Sequence, residues 1–265
     1  ASDFSPDKGS GIEGCDISDD AAVRELFERH NPEAVIHLAA LLPTASNLDP
    51  GRATRINIGG GLNLLRAAVE TGVKRFVFSS SSSVYGYSHR EPPPREDDSL
   101  APGDIYGTAK AYVEFAGRRM HALHGLEFVA LRIATVVGPG VRNSGSPWRS
   151  EIFEKLGGGG PQEICIPSNP EDRASLVHVE DVARMLALLA THEHISHSVY
   201  NSPVEAPRFA ELKTMVEAAD PAVKVQLRCP DLRRLPPPID GSRFHADFGF
   251  QLVPLADRLK QAAQR

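Results

Sequence analysis

The chain has 265 residues, 41% hydrophobic and 24% charged, with a net charge of −5, a profile that fits a soluble globular protein of one large domain or two small ones. The acidic balance and the lack of a dense Lys/Arg run argue against a nucleic-acid partner. No apolar stretch approaches about 18 residues, so no membrane span is expected. The first residues, Ala1 to Pro6, show neither the charged head nor the apolar centre of a signal peptide. Cys15, Cys165 and Cys229 are odd in number and far apart, which predicts a reducing, cytoplasmic setting and no disulfide framework. A chain that starts at Ala1 instead of Met is expected to be processed, cut or numbered from within a longer protein.

Residues 1–17 are short and Gly-rich. Gly9-Ser10-Gly11-Ile12-Glu13-Gly14 fits Gly-x-Gly-x-x-Gly. It follows Ser5-Pro6-Asp7-Lys8 instead of a buried strand and leads into another short segment instead of a helix, so it reads as a glycine-rich turn. Ser18 or Asp19 can cap a helix over 19–30. Glu33 to Leu38 is a continuous apolar run, as in a parallel strand covered on both faces, and ends in the small pair Ala39-Ala40. A long helix is predicted over 50–71, a strand over 73–80, a helix over 104–124, and a strand over 126–134 closed by Val136-Val137-Gly138-Pro139-Gly140.

After residue 140 the pattern changes. Gly157 to Gly160 is a mobile surface connection by composition. Short strands are predicted at 164–166, 198–201 and 223–227, and helices at 179–189, 209–218 and 254–264. Strands alternating with helices indicate an α/β fold with a doubly wound parallel sheet. The expected division is 1–140 as the main domain and 141–265 as a small substrate lobe, with about 174–201 returning to the main domain. In such sheets ligands bind beyond the carboxyl ends of the strands. The clusters Ala39–Ala40, Ser79–Ser83 and Ala134–Thr135 all fall there.

Residues 76–110 carry the chemistry. Phe76-Val77-Phe78 runs into five serines, Ser79 to Ser83, then Val84-Tyr85-Gly86; further on comes Tyr106-Gly107-Thr108-Ala109-Lys110. On a helix, Tyr106 and Lys110 lie on one face, a turn apart. An ammonium beside a phenol favours the phenolate and lowers its pKa. Such a tyrosine can take a proton from a hydroxyl, or return one to a carbonyl, near neutral pH. A strand-end hydroxyl can hold the same oxygen.

Other groups read more plainly. His192, His194 and His197 suit an exposed helix-to-strand connection better than a metal site. His178 reads as a structural hydrogen-bonder. Arg173 can hold a phosphate or carboxylate in two-pronged fashion, or form a surface ion pair with Asp172 or Glu171.

The chain resembles the extended short-chain dehydrogenase/reductases, in their NAD-dependent epimerase/dehydratase branch, and is similar to the UDP-sugar 4-epimerases. The matching stretches are Cys15 to Asp19, Val35 to Ala40, Asn57 within Arg55 to Gly60, Phe78 to Ser81 through Val84-Tyr85-Gly86, Tyr106 to Lys110, Leu131-Arg132 through Gly138-Pro139, and Arg173 through His178 to Asp181. They come in the family's order and cover nearly the whole chain.

The resemblance implies a Rossmann-like fold with NAD as cofactor. Tyr106 is then the acid/base, Lys110 its partner and the ligand of the nicotinamide ribose, and Ser81 the holder of the reacting oxygen. Asp16 and Ile17 are implied adenine contacts; Leu38, Ala39, Ala40, Asn57, Ser79 and Ile133 are further cofactor contacts. Asp3 stands where an acidic residue binds the adenosine ribose, which favours NAD over NADP. Ser82, Thr135 and Arg173 are implied substrate contacts, Arg173 at a nucleotide-sugar diphosphate. The family commonly dimerises through helices corresponding to 50–71 and 104–124. The family's first strand, phosphate loop and first helix have no counterpart before Asp3, Thr135 replaces its asparagine, and residues 141–172 are short for a nucleotide-sugar site. The expected activity is therefore oxidation or epimerisation at a sugar-nucleotide or related sugar hydroxyl. Dehydrogenation of a free sugar or sugar acid, and a non-catalytic dinucleotide-sensing role, are the alternatives.

Overall fold

The computed structural model describes residues 2–3, 11–88, 91–140, 146–173, 175–228 and 236–264. In chain order its elements begin with β1 (Ser2–Asp3), β2 (Glu13–Gly14), α1 (Asp20–His30), β3 (Ala34–His37), α2 (Pro43–Leu48) and α3 (Pro50–Ala53). A wide π-helical turn, Thr54–Gly60, joins α3 to α4 (Gly61–Glu70). Then come β4 (Arg75–Ser81), a 3-10 turn (Ser82–Tyr85), α5 (Ile105–His124), β5 (Glu127–Ile133) and β6 (Thr135–Val137). The remainder is α6 (Trp148–Glu154), β7 (Gln162–Ile166), β8 (Leu176–His178), α7 (Val179–Thr191), β9 (Val199–Asn201), α8 (Phe209–Ala219), β10 (Val223–Leu227), α9 (Ser242–Phe248) and α10 (Leu255–Ala263).

The chain divides into two compact units. The first holds residues 1–86, 99–132 and 186–200; the second holds 87–98, 133–185 and 201–265. In the first unit, strands run in the order β3-β4-β5-β9, with β3 and β4 parallel in register Ala34 to Arg75. β1 and β2 form a separate parallel pair. Gly14 ends β2, while Gly9 and Ser10 of the Gly-x-Gly-x-x-Gly stretch lie outside the described residues. The core of this unit joins Phe76, Phe78 and Phe128 of the sheet to Leu64, Leu65 and Ala68 of α4 and to Val23 and Phe27 of α1.

Two sequence expectations need correction here. β3 is not covered on both faces: His37 is buried on one face, while Ile36 on the other is 41% exposed because no apolar element packs over it among the described residues, and β3 lies at the edge of its sheet. Cys165 is disulfide-bonded, where the sequence predicted no disulfide framework; an odd count and wide spacing do not report which distant segments the fold brings together. Cys229 lies outside the described residues. Cys15 is a free, buried thiol.

In the second unit β6 pairs with β8 and β7 with β10, both parallel. Ile164, Ile166, Val223 and Val225 face Leu212, Val216, Leu255 and Leu259 in its core, with Trp148 and Phe209 edge-on at 6.0 Å. The histidines at 192, 194 and 197 lie between α7 and β9. Among the described residues no His/Cys/Asp/Glu group suited to a metal forms, and no helix is long and apolar enough to cross a membrane.

α5 approaches the sheet closely because Gly117 has no side chain: a Cβ there would lie 2.1 Å from the Phe128 ring. That ring is packed against Phe76 and Phe78 at 6.2 and 6.3 Å and cannot swing aside. Gly117→Ala is therefore expected to destabilise by about 1–3 kcal/mol through overpacking, despite the roughly 1 kcal/mol that alanine gains in a helix. A lowered urea midpoint with an unchanged m-value checks this.

Candidate active site

β4 is buried through Phe76, Val77 and Phe78 and emerges as the serine row. Ser81 ends the strand and caps the next turn, its Oγ accepting from Ser83 N at 3.2 Å and donating to Ser83 Oγ at 3.1 Å. Ser79, Ser80, Ser82 and Ser83 are buried, so the row is a packed strand mouth. α5 begins beside it. Asp104 caps the helix, its Oδ1 accepting from Gly107 N at 2.6 Å. At Gly107 a Cβ would stand 2.6 Å from the Ser83 carbonyl oxygen. Only glycine permits that approach, which sets the first turn of α5, and with it half-buried Tyr106, against the turn after the serine row.

One turn later Lys110 is buried. Its Nζ donates to the Ser79 carbonyl at 2.6 Å and lies 5.5 Å from the centre of the Tyr106 ring and 4.7 Å from that of Phe78. Burial pushes the Lys110 ammonium down to about 7, and the Glu114 carboxylate opposes that shift. His37, at the end of β3, is buried against Phe78 at 5.4 Å. Burial, with the Lys110 charge second, pushes His37 down to about 3, so it is neutral at pH 7.

Beneath these groups lies a polar network that sequence reasoning missed. Glu114, fully buried, accepts from Ser80 Oγ and from Arg132 Nε and Nη2, the last at 2.7 Å; Arg132 Nη1 donates to the Tyr85 hydroxyl at 2.6 Å. Two signals were present. Glu114 follows Lys110 by four on an otherwise apolar helix face, and Arg132 interrupts the apolar run Phe128 to Ile133.

The implied cofactor residues of the first unit fall around β3 and the π-helical turn. Leu38, Ala39 and Ala40 form the irregular segment after β3, with Leu38 59% exposed. The Asn57 amide is buried and pins this segment, accepting from Leu41 N at 2.7 Å and donating to Leu41 O at 3.0 Å; its amide is thus engaged with main chain. Asp16 Oδ1 accepts from Ser18 N and Oγ. The Ile17 carbonyl accepts from Asn63 Nδ2, and its side chain fills the space beside Gly60. Asp3 ends β1.

Ile133, Thr135 and Arg173 belong to the second unit. Thr135 is buried in β6, its N–H donating to the Ser175 carbonyl. Arg173 is exposed and donates from Nη1 to the Ala206 carbonyl at 2.8 Å. His178 is buried, accepts from Glu180 N and meets the Phe153 ring edge-on.

This arrangement brings Tyr106, Lys110 and the serine row together. Among the described residues Lys110 Nζ meets one hydrogen-bond acceptor, Ser79 O, with three donors to offer. A buried ammonium with donors to spare fits a ligand bearing paired hydroxyls, as a nucleotide ribose does.

An α/β chain with a tyrosine and lysine set at a strand mouth is of the extended short-chain dehydrogenase/reductase class. The chain belongs to the NAD dependent epimerase/dehydratase family, whose family model matches residues 2–201. It is 31% identical over 190 residues to the UDP-glucuronate 4-epimerase of Thermodesulfobacterium geofontis, covering 70% of this chain and 56% of that protein. It is 25% identical over 245 residues to the mitochondrial L-threonine 3-dehydrogenase of Bos taurus, covering 89% of this chain and 65% of that one. The solved UDP-glucose 4-epimerase of Thermus thermophilus, in complex with NAD, superposes with a TM-score of 0.80 at 25% identity over 96% of this chain and 85% of that one. The chain thus spans little more than half the length of the first of these relatives.

The Lys110 charge makes the site costly. The folded-state pKa lies near 7 against an ordinary 10.5, so the burial penalty is fully present below pH 7 and disappears as pH rises toward the ordinary value. Lys110→Met is expected to unfold at higher temperature than the parent at pH 6, with the gain shrinking toward pH 10. Paired thermal melts across that range check it.

Proposed function

We propose that this protein is an NAD-dependent oxidoreductase or epimerase that acts on a secondary hydroxyl of a sugar nucleotide or related sugar, with Tyr106 as acid and base. The observation that carries the reading is the placement of Lys110 Nζ, buried beside the Tyr106 ring and fixed to the Ser79 carbonyl. An ammonium so placed stabilises the phenolate that must form when Tyr106 takes a proton. Ser81 holds the substrate oxygen at the strand mouth, with Ser82, Thr135 and Arg173 as further substrate contacts. Lys110 also holds the ribose hydroxyls of the cofactor, Ser79 and Ala39–Ala40 line its path, and Asp16 and Ile17 meet the adenine. When bound, the nicotinamide supplies the hydride acceptor and donor. Asp3 at the end of β1 favours NAD over NADP.

A second reading is supported by the match to L-threonine 3-dehydrogenase, which extends over 89% of this chain. The substrate is then a small amino alcohol, and the hydride leaves with the cofactor. Tyr106 and Lys110 serve both readings, because each starts by oxidising a secondary alcohol.

We also propose a homodimer built through the 50–70 helical run and α5. Tyr112, Phe115 and Leu123 on α5 are 48%, 66% and 58% exposed, more apolar surface than a lone helix face usually leaves in water. Phe115→Glu is expected to convert a dimer to a monomer in light scattering after gel filtration; an unchanged mass refutes this interface.

Tyr106→Phe is expected to lower turnover by at least about 100-fold with an unchanged melting temperature. The assay is NADH absorbance for dehydrogenation and chromatographic separation of the epimers for epimerisation, with a panel of UDP-sugars, free sugars and L-threonine. Full turnover by the phenylalanine variant would overturn the acid/base role. A well-folded protein that shows no binding in an NAD titration would favour a non-catalytic role instead.

A further inference from the structure

We propose that Glu114 is a positioning residue for the Tyr106–Lys110 pair: its buried carboxylate, fixed by Arg132 and bonded to Ser80, sets the register of α5 against the end of β4 in which Lys110 reaches the Ser79 carbonyl. The inference rests on Tyr106 and Lys110 being the working pair of the preceding section.

Tyr106, Lys110 and Glu114 recur every four residues on α5 and so share its inward face. The two charged residues grip successive residues of β4. Lys110 takes the Ser79 carbonyl, and Glu114 takes the Ser80 hydroxyl. Ser81, the next residue, is the one offered to substrate. The register between the helix and the strand mouth is thus fixed by two polar contacts on adjacent residues. Arg132 locks the carboxylate from the β5 side with Nε and Nη2, and Glu114 and Arg132 are 0% and 2% exposed.

A buried ion pair is a weak stabiliser, since an apolar pair of similar volume often serves as well. Helix packing alone therefore gives no reason for a carboxylate here. Its place one turn beyond Lys110 does. Removal of Lys110 from water disfavours its charge, and the nearby carboxylate favours it. The other groups facing Lys110 do not supply that negative charge. Tyr106 on its own helix is a phenol, and His37 from β3 is kept neutral by burial and by Lys110 itself. Tyr85 of the 3-10 turn is held by Arg132. Helix α2 carries no ionisable side chain, and Arg52, Arg55, Arg66 and Glu70 of the 50–70 run are exposed. Glu114 is thus the one buried carboxylate facing this lysine among the described residues.

The test reads Lys110 directly. Lysine side-chain NMR with isotope-labelled lysine, the Lys110 signal assigned with Lys110→Met, follows its titration in the parent, Glu114→Gln, Glu114→Asp and the double variant Glu114→Gln/Arg132→Met. The Lys110 midpoint is expected to fall by about one pH unit or more in Glu114→Gln and by less in the double variant, and to lie near the parent value in Glu114→Asp. The pH at which NAD affinity is half lost on the alkaline side should move down with it. If Glu114→Gln leaves Arg132 uncompensated and fails to fold, the charge-neutral double variant carries the measurement through NAD affinity at pH 7, which is expected to fall because the register between α5 and β4 is loosened. An unchanged Lys110 midpoint in folded Glu114→Gln, or an unchanged NAD affinity in the double variant, overturns the proposal. A shifted midpoint in a protein that binds no NAD in any form upholds it and defeats the cofactor reading instead.

Discussion

The contact between the inner face of α5 and the end of β4 governs the candidate site. It is made by unlike means at each turn of the helix. Gly107 lets the first turn touch the Ser83 main chain, Lys110 and Glu114 bond Ser79 and Ser80, and Gly117 admits the Phe128 ring. Two glycines give closeness and two charged side chains give register. A helix held only by apolar packing could slide or rotate by a fraction of an ångström at little cost, and the proposed role of Tyr106 and Lys110 requires that it does not.

The same contact explains why the site is electrostatically tense. Lys110, Glu114 and Arg132 are all buried within one helix–sheet interface. Only the Glu114–Arg132 pair is mutually neutralised. Burial disfavours the Lys110 charge, and this costs stability wherever the lysine is protonated. His37 adds to this. It is buried, aromatic in its contacts and uncharged, so it fills space between β3 and Lys110 without competing for protons near neutral pH.

The second unit is organised differently. Its two parallel strand pairs, β6 with β8 and β7 with β10, are short and draw partners from far along the chain. Its core is apolar, from Trp148 and Phe209 to Leu255 and Leu259. A cis peptide precedes Pro92, and Asn201 bonds the carbonyls of Pro94 and Asp240, tying the 87–98 segment to residues near α9. That segment belongs to this unit although it lies between β4 and α5 in the chain.

Local sequence pattern was enough for the alternation of strands and helices, for α5 with Tyr106 and Lys110 on one face, and for the serine row at a strand mouth. Each rests on short-range rules: apolar periodicity and the four-residue repeat of a helix. The edge position of β3, the bonded state of Cys165, the return of residues 87–98 to the second unit and the clamp of Glu114 on Arg132 and Ser80 are another matter. They depend on which distant segments become neighbours. A glutamate on a helix and an arginine in a strand look alike whether they face water or each other, and only packing removes the water that decides between the two.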